Sequence, residues 1–500
     1  MNRQITRMAV VGVVLLAALV VGTTYWQAWA ASGLADRQDN SIQQVVRFTV
    51  KRGKIYAADG KTVLADNVRR KVAGQTLYLR YYPQHGLAAH IVGYSTRVRS
   101  RAGLESSEND FLTGSNTNLS TVLDTAFDKL KGTTVKGNDL HLTLRAVAQR
   151  IALNALGGKC GAAVAIEPRT GRLLVSVSSP TYDPNLIEGK YNLAARPKFG
   201  CPPFVNRAEA GLYLPGSAFK VITASAALDS GKFTLDSRFN DPGYCIEYGQ
   251  KVSNFADQSG PERFGSVDFT QALEHSINAV FCEIGKALGA RTIMETAKRF
   301  GFYSVPPLET PVNERAISGL YNNGKLFLPK DDSQADPGRL AFGQGPGNAE
   351  PRVTPIQMAM VAATIANGGL VMRPYVVERV VAPDGSTVTT TKPDTLERAI
   401  SENTAADVTT MMEAVVQGGT GTAAQLPGIR VAGKTGTAET GANHVNTTWF
   451  ICFAPADAPK VAVAVALENQ TGFGATTAGP IAKAIVQAVL PQRSNDGASG

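Results

Sequence analysis

Ligand clusters for metals are missing from this chain. It has five cysteines and five histidines in 500 residues, but no CxxC and no HExxH, so nothing carries the spacing of a zinc site and no metal or cofactor is expected. Cysteine is too sparse for a disulfide scaffold, yet disulfides persist outside the cytoplasm. Nearness in sequence pairs Cys160 with Cys201 and Cys245 with Cys282, leaving Cys452 buried and unpaired. The alternative makes all five small core residues. Charge is absent from Met8 to Ala35, a run longer than the roughly 20 residues that span a bilayer. Arg3 and Arg7 precede it, while Asp36, Arg37 and Asp39 follow, an asymmetry that puts the N-terminus in the cytoplasm and the rest outside. Trp26 and Trp29 would sit among headgroups. Ala28-Trp29-Ala30 also fits a cleaved signal peptide, but the length of the run favours a retained anchor. Either way the body is exported. That excludes a cytoplasmic nucleic-acid enzyme, despite a net charge of +9.

The remaining composition, 44% hydrophobic and 18% charged, is that of a globular protein, and the length implies two or three domains. We expect a stub and anchor over 1–35, a small non-catalytic domain over 36–145, a larger domain over 146–491 and a disordered tail over 492–500. From Val45 to Arg101 the only acids are Asp59 and Asp66, amid many Lys and Arg. The short alternating runs Arg47–Val50 and Thr76–Leu79 read as strands, and Ala58-Asp59-Gly60-Lys61 as a hairpin turn. The basic surface suits either a solvated face or contact with an acidic envelope. Leu140–Leu144 opens the second unit, followed by a helix over Arg145–Leu156 with Val147, Ile151 and Ala155 on one face. Strands are expected within Cys160–Ser179, at Thr448–Ala454 and at Lys460–Leu467, with a closing helix over Ala478–Leu490. Strands at both ends of a helical middle predict an α+β fold with one antiparallel sheet flanked by helices.

Three short motifs carry the chemistry. Ser217-Ala-Phe-Lys220 follows Pro215-Gly216 and heads an apolar stretch. Ser276-Ile277-Asn278 lies further on, and Lys434-Thr435-Gly436-Thr437 precedes the closing strands. Each alone is weak; the ordered set SxxK, SxN, KTG is strong. A serine hydroxyl needs a base to become a nucleophile. On a helix Lys220 shares a face with Ser217, and it serves as base if burial or a cationic neighbour such as Lys434 lowers its pKa. Ser276 would bridge the lysines and relay the proton, and Asn278 would hold Lys220 and a substrate amide. The N–H groups of Ser217 and Thr437 would form an oxyanion hole. Gly436 would let a substrate strand lie close, and Lys434, Thr435 and Thr437 would take a terminal carboxylate. His275 and Glu439 read as structural and surface residues.

With these motifs the chain resembles the class B penicillin-binding proteins along nearly its whole length. Arg52-Gly53-Lys54-Ile55-Tyr56-Ala57-Ala58-Asp59-Gly60 is similar to the family's RGxIxDRxG, with Ala57 and Ala58 where charged residues are usual. Gly103-Leu104-Glu105 matches its GLE; Asn206-Arg207-Ala208 and Leu212–Ser217 match the approach to the nucleophile. Thr354–Ala359, Asn367-Gly368-Gly369 and Trp449-Phe450 match further landmarks. The resemblance implies a β-lactamase-like transpeptidase domain, a small mostly β N-terminal domain of the dimerisation or interaction type, and one transmembrane helix. It implies a D,D-transpeptidase of cell-wall synthesis, in division or growth, that attacks D-Ala-D-Ala stem peptides through a Ser217 acyl-enzyme. It is expected to be acylated by β-lactams and to act at the membrane beside a polytopic peptidoglycan glycosyltransferase, since no such domain fits within this chain. A serine β-lactamase, a D,D-carboxypeptidase and an idle scaffold or β-lactam sensor are the alternatives.

Overall fold

The computed structural model describes residues 2–25, 48–72, 74–97, 99–115, 136–257, 260–346, 348–439 and 445–491. Trp26, Trp29, the segment after the expected anchor, Arg47 and the tail from 492 lie outside the described residues. Helix α1, Asn2–Thr24, has 23 residues with Arg3 and Arg7 near its start. Among the described residues no helix is long and apolar enough to cross a membrane. The expected span, Met8–Ala35, runs on from α1 beyond them.

The N-terminal unit is built on β1 (Ile55–Tyr56), β2 (Val63–Val72), β3 (Gln75–Tyr81) and β4 (Asp139–Leu142). The Asp59-Gly60 turn forms as expected: Asp59 Oδ1 accepts from the N–H groups of Lys61 and Thr62, and Gly60 adopts φ +64°. The strand expected from Arg47 does not form, because residues 48–50 are turn and bend. Arg52 and Glu105, from the two motifs of this unit, meet in its interior. Arg52 donates to Glu105 Oε2 at 2.8 Å and Arg80 to Oε1 at 2.6 Å. Burial opposes the charge on Glu105 most strongly, but Arg80 and Arg52 together outweigh it and hold the carboxyl below its ordinary value.

Distant chain completes this sheet. After helix α2 (Ala146–Leu156), strands β5 (Gly161–Ile166) and β6 (Leu173–Ser179), and a long helical middle, strands β7 (Val377–Val381) and β8 (Thr387–Thr390) return to it. The order is β8-β7-β4-β1-β2-β3, so the two units are joined by a shared sheet as well as by the linker.

The second sheet is the expected one. Strands β9 (Ala432–Glu439), β10 (Asn446–Ala454) and β11 (Val461–Gln470) join β5 and β6 in the order β9-β10-β11-β5-β6, all antiparallel. Its strands alternate with a period of two. Ala162, Val164, Ala462 and Ala464 face the large helical cluster, while Ala163, Val463, Val465 and Cys452 face the smaller one formed with α2 and the closing helix α3 (Gly479–Val489). The alanines leave room for the buried helix Pro355–Ala366, which packs directly on this face. On α2 the predicted face is the wrong one. Val147 is 71% exposed, whereas Ala148, Ala152, Leu156 and Gln149 are buried. Gln149 accepts from Ser176 N–H and donates to Leu87 and Ser176 carbonyls, so a polar residue that periodicity assigns outward is satisfied inside.

Both expected disulfides form, Cys160–Cys201 and Cys245–Cys282, and Cys452 is free and buried.

Candidate active site

Ser217 does not sit on an α-helix. Gly216–Phe219 is a 3₁₀ turn, and the α-helix begins at Lys220 and runs to Asp229. Residues i and i+3 eclipse in a 3₁₀ turn, so the pair still shares a face. The turn is clamped from several sides. Trp449 Nε1–H donates to Leu214 O at 2.9 Å, Tyr213 and Arg207 both donate to Glu468 Oε1, and Gly216 N–H donates to Gly343 O. Ser217 Oγ makes no hydrogen bond among the described residues and is half-buried.

The middle motif is presented by a sharp break between helices. Asp268 and Gln271 form a capping box on helix Phe269–Glu274. The chain then turns through Ser276 at φ +59°, a left-handed conformation that costs a non-glycine residue roughly 1–2 kcal/mol. Buried Ile277 anchors the far side, and helix Asn278–Leu288 begins at once. Asn254 Oδ1 caps that helix by accepting from Ala279 N–H at 2.9 Å.

The third motif lies on β9, an edge strand of its sheet. Gly436 abuts the turn that carries Ser217: a Cβ there would lie 2.8 Å from Pro215 O and 3.1 Å from Ala218 Cβ. Gly216, at φ +51°, makes the reciprocal approach to Thr437 O. Without side chains at these two positions, turn and strand close to contact.

The motifs therefore converge. Lys220 Nζ donates to Ser276 O at 2.5 Å, Asn278 Oδ1 at 2.8 Å and Ser276 Oγ at 3.2 Å. Lys434 Nζ lies 2.9 Å from Ser276 Oγ and donates to Thr435 O at 3.1 Å. One hydroxyl thus touches both lysine nitrogens. Each lysine is fully buried, Lys220 beside the rings of Phe281 and Phe342, and neither forms a salt bridge among the described residues. Burial first, and the charge of Lys434 second, hold Lys220 well below the ordinary lysine value; burial brings Lys434 down to about 7. Such a cleft disfavours two protonated amines and keeps one available as a base.

Further partners come from outside the motifs. The Nδ2 group of Asn278 is already given to Ser253 O at 3.2 Å. Thr435 Oγ1 lies 2.8 Å from Thr420 Oγ1, and Thr437 Oγ1 accepts from Gly474 N–H. Ser253 and Thr420 had no motif to mark them; both reach the site only through the fold. His275 stacks on Phe264 at 5.0 Å, and Glu439 is exposed at the end of β9. Among the described residues, no group of His, Cys, Asp and Glu could hold a metal.

A serine on a clamped turn, two buried lysines joined by a second serine and an open edge strand define a serine acyl-transfer site of the penicillin-recognising type. The family model for the penicillin binding protein transpeptidase domain matches residues 161–487, and that for the penicillin binding protein A dimerisation domain matches 52–140. The chain belongs to the penicillin-binding protein transpeptidase family. It is 34% identical to the peptidoglycan D,D-transpeptidase PbpA of Mycolicibacterium smegmatis, covering 99% of this chain and 100% of the relative. It is 33% identical to the PbpA of Mycobacterium tuberculosis, covering 98% and 99%. The solved ceftriaxone acyl-enzyme of penicillin-binding protein A from M. tuberculosis superposes with a TM-score of 0.78 at 31% identity, covering 89% of this chain and 100% of that one.

Proposed function

We propose that this chain is a peptidoglycan D,D-transpeptidase that cross-links stem peptides through an acyl-enzyme at Ser217. The observation that carries this reading is the Ser276 hydroxyl held between two buried lysines, one of them on the turn that follows Ser217. Neutral Lys220 takes the Ser217 proton as Oγ attacks the carbonyl of the penultimate D-Ala. The N–H groups of Ser217 and Thr437 receive the oxyanion. Ser276 passes the proton to the leaving amine, and terminal D-Ala departs. An amine of a second stem then attacks the ester, Lys220 again taking the proton, and Ser217 is regenerated. Lys434, Thr435 and Thr437 hold the terminal carboxylate, and the donor peptide adds to the open edge of β9 as a further strand. A β-lactam enters as the donor does and acylates Ser217.

The anchor belongs to the same proposal. Met8, Leu15, Leu16 and Leu19 on α1 are each more than half exposed, an apolar surface that water does not tolerate and a bilayer covers. Arg3 and Arg7 at the start of α1 support a cytoplasmic N-terminus and a catalytic unit outside. There the enzyme acts beside a membrane glycosyltransferase that supplies uncross-linked strands.

The test is a donor peptide ending in D-Ala-D-Ala, incubated with the enzyme and an amine acceptor. Released D-Ala together with a new donor–acceptor amide, both absent in Ser217→Ala, is the expected result. Release of D-Ala with water as the only acceptor makes the enzyme a carboxypeptidase, and no release at all removes the activity.

A further inference from the structure

A second cavity, of about 460 Å³, lies where the N-terminal unit meets the transpeptidase unit. That volume falls within the range of small-molecule sites, about 300–1,000 Å³. One wall comes from the N-terminal unit through His90, Tyr94 and Gly103; the other comes from Tyr182, Tyr191 and Phe204, with Glu314 completing it. The rings form a contiguous set: Tyr182 meets Phe204 edge-on at 4.8 Å and Tyr94 at 6.5 Å, and Tyr191 stacks on Phe204 at 5.4 Å.

One cation already borders these rings: the Arg99 guanidinium lies 3.5 Å from the Tyr191 centroid, outside the lining itself. Glu314 is the one acidic residue of the lining, and no Lys or Arg lines it. Its carboxylate pairs with no cation among the described residues and accepts a single backbone N–H, that of Gly103, shared between both oxygens at 3.2 Å. Asn206 also lines the cavity, its Nδ2 donating to His90 O at 3.4 Å. His90 is neutral, its Nε2 engaged with Pro203 O at 2.7 Å and burial holding its pKa to about 4. A partly buried carboxylate without a counter-ion is costly. Aromatic walls around such a carboxylate recognise organic cations.

From this geometry we propose that the interdomain cavity binds an organic ammonium group, the amine of a small ligand or of a peptide side chain, against Glu314 and the surrounding rings. The ligand would touch both units at once. The transpeptidase wall at Asn206 runs directly into Arg207, which shares Glu468 with Tyr213 on the clamp of the nucleophile turn. Occupancy is thereby placed to report on how the units sit together, without entering the cleft.

The test uses the full-length chain in detergent and two probes that differ only in charge: Nα-acetyl-lysine methyl ester and its Nε-acetylated neutral counterpart. Saturable binding of the charged probe is measured by calorimetry on free protein and on protein already acylated by benzylpenicillin. The expected result is binding in both states, weakened about tenfold for the neutral probe and about tenfold by Glu314→Gln, as loss of one charge-assisted contact in a partly desolvated site implies. Glu314→Gln keeps volume and an acceptor oxygen; its stoichiometric penicillin labelling confirms that it folds. No saturable binding, equal binding of the two probes, or insensitivity to Glu314→Gln would overturn the proposal. So would loss of binding on acylation, which would assign the probe to the catalytic cleft.

Discussion

Ser276→Ala isolates the proton relay from everything else in the site. The hydroxyl lies 3.2 Å from Lys220 Nζ and 2.9 Å from Lys434 Nζ. After its removal Lys220 keeps the Ser276 carbonyl and Asn278 Oδ1, and Lys434 keeps the Thr435 carbonyl. Both amines therefore stay where they are, and alanine bears the same backbone cost at φ +59° as serine does. What is lost is proton transfer to the leaving amine. Positioned acid–base catalysis contributes about 10²–10⁴-fold, or about 3–5 kcal/mol of barrier. The lost hydrogen bonds cost the folded state only about 1 kcal/mol each. The second-order rate of acylation by a fluorescent penicillin, measured by rapid quench beside a thermal melt, should fall by that factor while the melting temperature moves only a few degrees. A rate within about threefold of the parent would refute the relay. A collapse of the melting temperature in step with the rate would mean that Ser276 is structural.

Other predictions follow from neighbouring contacts. Gly436→Ala puts a Cβ 2.8 Å from both Pro215 O and Trp449 Cβ; the nucleophile turn must back away, so acylation should drop at least about tenfold with about 1–3 kcal/mol of destabilisation from overpacking, and parent-like acylation would exclude this contact. Lys434 titrates at about 7 in the fold and at about 10.4 when unfolded. The unfolded chain holds the extra proton between those values, so stability should rise with pH across that window; in Lys434→Met the slope of melting temperature from pH 7 to 9 should be shallower. Glu105 has the opposite sign. Its folded pKa is depressed, so its contribution is present above the unfolded carboxylate value and lost as pH falls through the folded one. Glu105→Gln should cost about 3–5 kcal/mol at neutral pH by stranding Arg52 and Arg80, and should flatten the acid limb of denaturation. Alkylation of denatured, unreduced protein should modify Cys452 alone, with Cys160, Cys201, Cys245 and Cys282 reacting only after reduction, as intact mass will show.

The candidate site residues were legible because their chemistry is written in short, ordered motifs, and the five-stranded sheet because β5, β10 and β11 are continuous apolar runs. Their mutual geometry was not. That Lys220 hydrogen-bonds Ser276 and Asn278 depends on the left-handed turn at Ser276, and a serine there carries no sign of positive φ. The contact of Gly436 was not legible because its neighbour across space is Pro215, far away in sequence. Helix α2 was turned to the wrong face because Val147 and Ile151 outweigh alanines on a hydropathy scale. The face against the sheet is Ala148, Ala152 and Leu156, with Gln149 paired to backbone. Strands β7 and β8 could not be given to the N-terminal sheet from sequence, since nothing local encodes a pairing with β4 across the whole catalytic insert.

The most direct test of the mechanism is the site and lifetime of the penicillin adduct. Full-length protein is treated with benzylpenicillin, followed by intact mass over hours, then digested to locate the modification. The mechanism predicts one acyl group per chain, on the peptide carrying Ser217, persisting for hours and absent in Ser217→Ala. An adduct on another residue, or its rapid loss with hydrolysed drug accumulating, would contradict it.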